Sequence, residues 1–145
     1  MDANLEENAR RFLKLASRLR RLGSGNDLVD EGQVSPSHLA LIEYVGGHGG
    51  CGIQEMAEAL HLSTPTVSVS VRQLEEKAYL TRQPHPEDGR AVQLFLTEAG
   101  ENVHTQSQAF HCRKFEKLLS GLNPEEREIL VSLLEKALNA AEINT

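Results

Sequence analysis

The sequence has no tryptophan, few other aromatic residues and only two cysteines among its 145 residues. The isolated thiols, Cys51 and Cys112, form neither a CxxC motif nor a disulfide framework, so we interpret them as ordinary thiols of a reducing compartment. No apolar run approaches the roughly 20 residues that a transmembrane helix requires, and no signal peptide or lipidation motif is recognisable. We therefore expect a soluble, cytoplasmic protein that has no membrane partner.

Motifs of catalysis are also missing. The chain has no HExxH, no nucleophile elbow and no Ser-His-Asp order, and the glycine-rich run at 46–52 lacks the spacing of a phosphate-binding loop. The carboxylates of Glu75-Glu76, like those of Glu125-Glu126, are neighbours on predicted helices and point apart. We expect no enzyme activity and no cofactor.

Positive charge, which simple DNA-binding domains have in excess, is lacking here: the net charge is −6. Many acidic residues lie near the chain ends, and the position of charge matters more than its sum. Even so, residues 72–90 set four cations against four carboxylates. Charge alone does not predict a nucleic-acid partner.

Amphipathic patterns predict helices at both ends of the chain. Between Leu5 and Leu22, apolar residues recur every three or four positions, and Gly23 to Asp27 ends this helix and opens a loop to about Val34. Asn123-Pro-Glu-Glu126 combines a capping box with a first-turn proline and begins a last helix that reaches about Ala141. Both apolar stripes need cover, which suggests an intertwined dimer.

The middle of the chain predicts a helix-turn-helix. Ser35-Pro36 begins one short helix, Ile53 to Leu60 forms a second, and a third follows the turn at 61–63. Val67-Ser-Val-Ser-Val71 alternates as a strand does. We nevertheless predict a helix, because Thr64-Pro65 supplies a cap followed by a first helical residue, and strong helix formers follow.

A β-hairpin follows the third helix. Leu80 to Gln83 and Ala91 to Leu96 are predicted to pair, and the tip between them contains two prolines and a glycine. Thr97 then caps a long helix that extends to about Ser120. The predicted fold class is mainly α with a small β-hairpin wing: a winged helix-turn-helix with N- and C-terminal dimerisation helices.

The chain resembles the MarR family of winged helix-turn-helix transcription regulators. The resemblance rests on the order and spacing of five short segments: Gln54-Glu-Met-Ala-Glu-Ala-Leu60, Ser63-Thr-Pro-Thr-Val-Ser68, Leu74-Glu-Glu-Lys-Ala-Tyr-Leu80, Glu87-Asp-Gly-Arg-Ala91 and Leu96-Thr-Glu-Ala-Gly100. It implies a ligand-responsive repressor that binds a pseudo-palindromic operator in double-stranded DNA as a homodimer. It also implies a division into 1–34 and 97–145 for dimerisation and 35–96 for DNA binding.

Helix geometry and the resemblance together give the candidate contact residues. Helix N-termini favour phosphate, and Arg and Gln have the reach and the donors for guanine and adenine edges. The candidates for DNA are Ser63, Thr64, Pro65, Thr66, Ser68, Val69, Arg72, Gln73, Arg82, His85, Asp88 and Arg90. The candidates for a small aromatic or amphipathic effector, in a crevice between the DNA-binding region and the dimerisation helices, are Phe12, His38, Ile42 and Tyr44.

The chain departs from the family pattern in three places. Ala78 stands where a glycine commonly closes the recognition helix, and a left-handed backbone there costs on the order of 1 kcal/mol. Glu87 replaces a common cation of the wing, so we expect Arg90, oriented by Asp88, to contact phosphate rather than to enter the minor groove. The cysteine near the N-terminus that marks peroxide-sensing relatives is absent.

Two alternative functions remain open. The net negative charge and the small number of cations in the wing are consistent with a protein-binding or anti-regulator module of the same fold. A metal- or redox-sensing regulator would use His104 and His111, with His38 or Glu43, or the thiol of Cys112. Only His104 and His111 have a spacing that would let both bind one metal ion, and a metal site needs three or four ligands. We therefore predict no metal site.

Overall fold

This computed structural model describes residues 2–22, 29 and 32–144, which contain six helices of eight or more residues and one β-hairpin. In chain order they are α1 (Ala3–Arg21), α2 (Pro36–Gly47), α3 (Ile53–Leu60), α4 (Thr64–Glu76), β1 (Leu80–Pro84), β2 (Val92–Leu96), α5 (Glu98–Leu119) and α6 (Pro124–Ile143). This order confirms the mainly α class with a small β-hairpin. Most of the loop predicted at residues 23–34 lies outside the described residues; among those described, residues 32–34 form a turn and a bend, but Val29 is helical, so the prediction of a continuous loop was wrong there. None of the described helices carries an apolar stretch that could cross a membrane.

Side-chain caps set where the helices begin. Ser35 accepts a hydrogen bond from the His38 N–H and precedes Pro36, as predicted. Asn123 and Glu126 exchange side-chain-to-backbone bonds in a capping box at the start of α6. At the start of α5, Thr97 Oγ1 accepts from the Gly100 N–H at 3.1 Å. Each cap satisfies backbone N–H groups that have no partner within the helix.

The cap of α4 is a correction to the sequence analysis. Ser63, not Thr64, is the cap: its backbone is extended and its Oγ accepts from the Thr66 N–H at 3.2 Å. Thr64 is therefore the first helical residue and Pro65 the second. The error arose because proline is tolerated throughout a first turn, and both hydroxyl residues before it are suitable caps.

The hairpin is antiparallel, with Leu80 opposite Leu96 and Pro84 opposite Val92. Leu94 is fully buried, and the other two inward residues of β2 pack against the core. The glycine-rich run, predicted only as a turn, also pairs with β2 through an isolated bridge between Cys51 and Leu94. This bridge connects the segment between α2 and α3 to the hairpin.

The chain divides into two compact units, Met1–Phe110 and His111–Thr145. The core lies in the first unit and combines side chains from α2, α3, α4, both strands and α5. Its fully buried members include Ile42, Met56, Val67, Val71 and Leu94, each at 0% exposure. In the second unit, Arg127 Nε donates to the Leu119 carbonyl at 3.0 Å and so connects α6 to the end of α5.

Candidate nucleic-acid interface

Helix α4 is fixed by one face and presents the other to solvent. Val67, Val71 and Leu74 recur at helical spacing and are each at 0% exposure, which confirms the helix over the alternating valines. The opposite face is mostly polar, with Val69 as its exposed apolar residue, and only Ser68 among the predicted contacts on α4 is half-buried. The exposed predicted residues are Thr64, Pro65, Thr66, Val69, Arg72 and Gln73. An anchored helix with a free outer face is what insertion into a major groove requires.

Two hydroxyl groups lie together at the start of α4. The Ser63 and Thr66 hydroxyl oxygens are 2.6 Å apart, in addition to the capping bond that Ser63 makes to the Thr66 N–H. Both residues are exposed. This helix N-terminus has the partial positive charge and the donors that favour a phosphate group.

The two long side chains near the other end of α4 differ in their surroundings. Arg72 is exposed, and within the described part of the chain no carboxylate pairs with it. Gln73 is also exposed, but its Oε1 lies 3.0 Å from Nε2 of His38 on α2. Arg72 is therefore free to move, whereas Gln73 is held at its carbonyl end.

Arg82, on β1, is held by an ion pair that the sequence analysis did not predict. Its Nε and Nη2 lie 2.9 and 2.6 Å from Oε1 of Glu75 on α4. The hydrogen bond to Glu75 raises the pKa of the Arg82 guanidinium. Because the carboxylate already offsets its charge, Arg82 has less positive charge to offer a phosphate than its residue type suggests.

The wing tip is organised by side chains that bind its own backbone. His85 is half-buried, and its Nδ1 accepts from the N–H groups of Glu87 and Asp88 at 3.1 and 3.2 Å. Asp88 Oδ1 accepts from the backbone N–H of Arg90 at 3.1 Å. Asp88 thus orients the chain at Arg90 rather than its guanidinium, and the exposed Arg90 side chain extends from a braced turn.

A short network connects α4 to the hairpin and to α5. Ala78 has φ 63°, the left-handed conformation that the missing glycine would favour. The Thr97 hydroxyl donates to the Ala78 carbonyl at 2.5 Å, and the Thr97 Oγ1 atom accepts from the Gly100 N–H. Thr97 therefore joins the end of α4 to the start of α5, a role beyond the cap that its sequence position predicted.

The candidate effector residues occupy different environments. Ile42 is at 0% exposure in the core, and His38 is buried. Tyr44 donates to Glu55 Oε2 at 2.8 Å and stacks on His48, and the bond to Glu55 raises the pKa of the phenol. Phe12 is 61% exposed, in a shallow apolar groove along α1.

The thiols and histidines show no metal-binding arrangement in the described residues: no three His, Cys, Asp or Glu side chains converge there. Burial raises the pKa of the Cys51 thiol to about 11, so this thiol is a poor nucleophile. Cys112 is exposed. His104, a candidate ligand, instead packs its ring against Gly46 of α2.

Comparison with known proteins gives the family. A sequence profile described as "MarR family" matches residues 33–91, the segment from just before α2 to the wing. The HTH-type transcriptional regulator BilQ of Clostridium symbiosum is 31% identical over 111 residues, which is 77% of this chain and 76% of BilQ. The chain belongs to the MarR family.

Solved MarR-like structures share the fold of this chain. The transcriptional regulator Tm0710 from Thermotoga maritima superimposes with a TM-score of 0.70 at 22% identity, over 97% of this chain and 98% of that one. Streptococcus pneumoniae FabT, in complex with DNA, superimposes with a TM-score of 0.67 at 23% identity, over 98% and 96% of the two chains. This MarR-family chain is accordingly a winged-helix transcriptional regulator, and its relatives are regulators rather than enzymes.

Proposed function

We propose that this chain is a cytoplasmic repressor that binds a pseudo-palindromic operator as a homodimer. The observation that carries the proposal is the free outer face of α4, beside a braced wing that presents Arg90. Arg72 and Gln73 would contact base edges, Val69 would meet a thymine methyl group, and Arg90 would contact phosphate. The FabT complex supports this assignment because a chain of the same fold binds DNA.

Exposed apolar side chains support the homodimer. On α1, Leu5, Phe12 and Leu13 are each more than 60% exposed. On α6, Ile129, Leu133 and Leu138 are each more than 55% exposed. Large apolar surfaces of this kind mark protein interfaces, and we propose that segments 1–34 and 97–145 cover them with a second copy. Residues 35–96 would then form the two DNA-binding regions.

We also propose that a small apolar or amphipathic compound releases the DNA. The support is chemical: His38 and Tyr44 place polar groups beside the apolar core that includes Ile42, a composition typical of small-molecule sites. In this proposal, the compound changes the separation of the two DNA-binding regions.

Selection of genomic DNA fragments at physiological salt tests the function. We expect the native protein to enrich a dyad-symmetric site. Arg72→Ala should weaken discrimination at one base pair in each half-site. Arg90→Ala should weaken binding to all DNA sequences alike. It should also reduce the slope of log affinity against log salt by about 2, since each dimer loses two phosphate contacts. Lys117→Ala, at the end of α5, is the control cation and should change neither value.

A protein-binding module is the second candidate, favoured by the net charge of −6 and by the pairing of Arg82 with Glu75. It predicts no enriched site from folded, dimeric protein, and a DNA affinity that changes little with salt. Enrichment of a palindrome with a steep salt dependence would eliminate this candidate.

A further inference from the structure

The hydrogen bond between α2 and α4 fixes the chemistry of both side chains. His38 is 9% exposed and its Nε2 lies 3.0 Å from Gln73 Oε1. Because a carbonyl oxygen only accepts, Nε2 carries the hydrogen and His38 is the donor. The other ring nitrogen, Nδ1, is buried without a hydrogen-bond partner among the described residues.

The same bond sets the orientation of the Gln73 amide. With Oε1 held toward His38, the Nε2 amino group of Gln73 lies at the other corner of the amide. A flipped amide would need the His38 hydrogen on Nδ1 instead, and that would leave a buried N–H group without an acceptor among the described residues. Oε1 keeps a second lone pair, so it still accepts one further hydrogen bond.

Burial of His38 at this position has a cost that packing alone does not explain. An unpartnered buried nitrogen loses its hydration, whereas an apolar side chain of similar size would lose nothing. Beyond packing, the contact that the ring makes in the described structure is the one to Gln73.

We propose that His38 is a positioning residue that fixes the Gln73 amide for contact with adenine in the major groove. Adenine presents N7 as an acceptor and N6 as a donor, which match an amide that donates at Nε2 and accepts at Oε1. Guanine presents two acceptors, so the held Oε1 would face O6 without a hydrogen. The inference rests on the proposed DNA binding and specifies one A·T pair in each half-site.

Two His38 variants of similar length separate positioning from packing. His38→Gln keeps an N–H donor near the place of the imidazole Nε2, and His38→Met removes it. Dissociation constants are measured for the duplex that the native protein selects and for duplexes with each base pair changed in turn. A further duplex carries 7-deazaadenine, which lacks the N7 acceptor, at the position that Gln73→Ala identifies.

We expect the native protein and His38→Gln to prefer A·T at that position by about tenfold, the range of one bidentate contact. His38→Met and Gln73→Ala should lose this preference and become insensitive to 7-deazaadenine. All variants should keep the native salt slope and the native affinity for a non-specific duplex. A general loss of stability would lower the affinity for every duplex alike, so the non-specific affinity distinguishes positioning from damage to the fold, and the salt slope checks that the phosphate contacts are unchanged.

The inference is overturned if His38→Met discriminates as the native protein does, or if both His38 variants lose discrimination equally. It is also overturned if the position identified by Gln73→Ala prefers G·C. If the His38→Met variant loses its helical circular dichroism, His38→Asn is used in its place. The asparagine side chain is too short for its amide to reach Gln73. If the native protein selects no site, the proposed function fails rather than the role of His38.

Discussion

Among single residues, Ala78 has a backbone conformation that its side chain disfavours. Its φ of 63° lies in the left-handed region, and the N–H groups of Ala78 and Tyr79 bond the carbonyls of Glu75 and Leu74, as in a Schellman motif. Glycine reaches this conformation without a steric penalty. We expect Ala78→Gly to raise the free energy of unfolding by about 1 kcal/mol and the melting temperature by about 2–4 °C.

Urea unfolding at a fixed protein concentration measures this change. The matched control is Ala59→Gly, an exposed position inside α3, where the right-handed helix favours alanine and the same substitution should destabilise by about 0.5–1 kcal/mol. If both variants lost stability equally, the left-handed conformation at Ala78 would be refuted.

At the level of elements, α2 and α5 approach closely at Gly46. A Cβ at this position would lie 2.7 Å from atoms of the His104 ring, whereas nothing lies within 4 Å of one at Gly47. Gly46→Ala must displace the ring, so we expect it to lower the free energy of unfolding by about 1–3 kcal/mol. The added methyl group of Gly47→Ala has open space at the end of α2, so this substitution should raise the free energy of unfolding by up to about 1 kcal/mol.

Denaturant midpoints of the two neighbouring variants provide the comparison. His104→Ala removes the ring, so Gly46→Ala should cost much less in that background, and the double-mutant cycle should be strongly non-additive. Additive losses would show that α5 does not press on Gly46 through His104.

The elements were largely predictable from the sequence, because caps and apolar spacing are local properties. Pro65 and the spacing of Val67, Val71 and Leu74 identify α4 despite its alternating valines. The pairing of His38 with Gln73 joins residues 35 positions apart and depends on how α2 packs against α4. The pairing of Arg82 with Glu75 likewise depends on how β1 leaves the end of α4. Local patterns do not contain these distances, so the partners of the candidate residues could not be predicted from the sequence.

For the whole molecule, the proposed function depends on a second copy. One half-site contact is weak, and two rigidly joined contacts multiply their affinities, so loss of the dimer should remove most operator binding. Leu133 is 58% exposed on α6 and belongs to its apolar stripe, whereas the helical repeat places Asn139 on the opposite face.

We expect Leu133→Glu to dissociate the homodimer. Each copy would lose about 1.5–3 kcal/mol of apolar burial, and two-fold symmetry applies the loss twice, so the dimer dissociation constant should rise by roughly two to four orders of magnitude. Sedimentation equilibrium measures this constant, and Asn139→Glu, which adds the same charge, should leave it unchanged. Because Leu133 is exposed within its own chain, circular dichroism of the variant should remain helical. A Leu133→Glu protein that stays dimeric would mean that another surface joins the two copies.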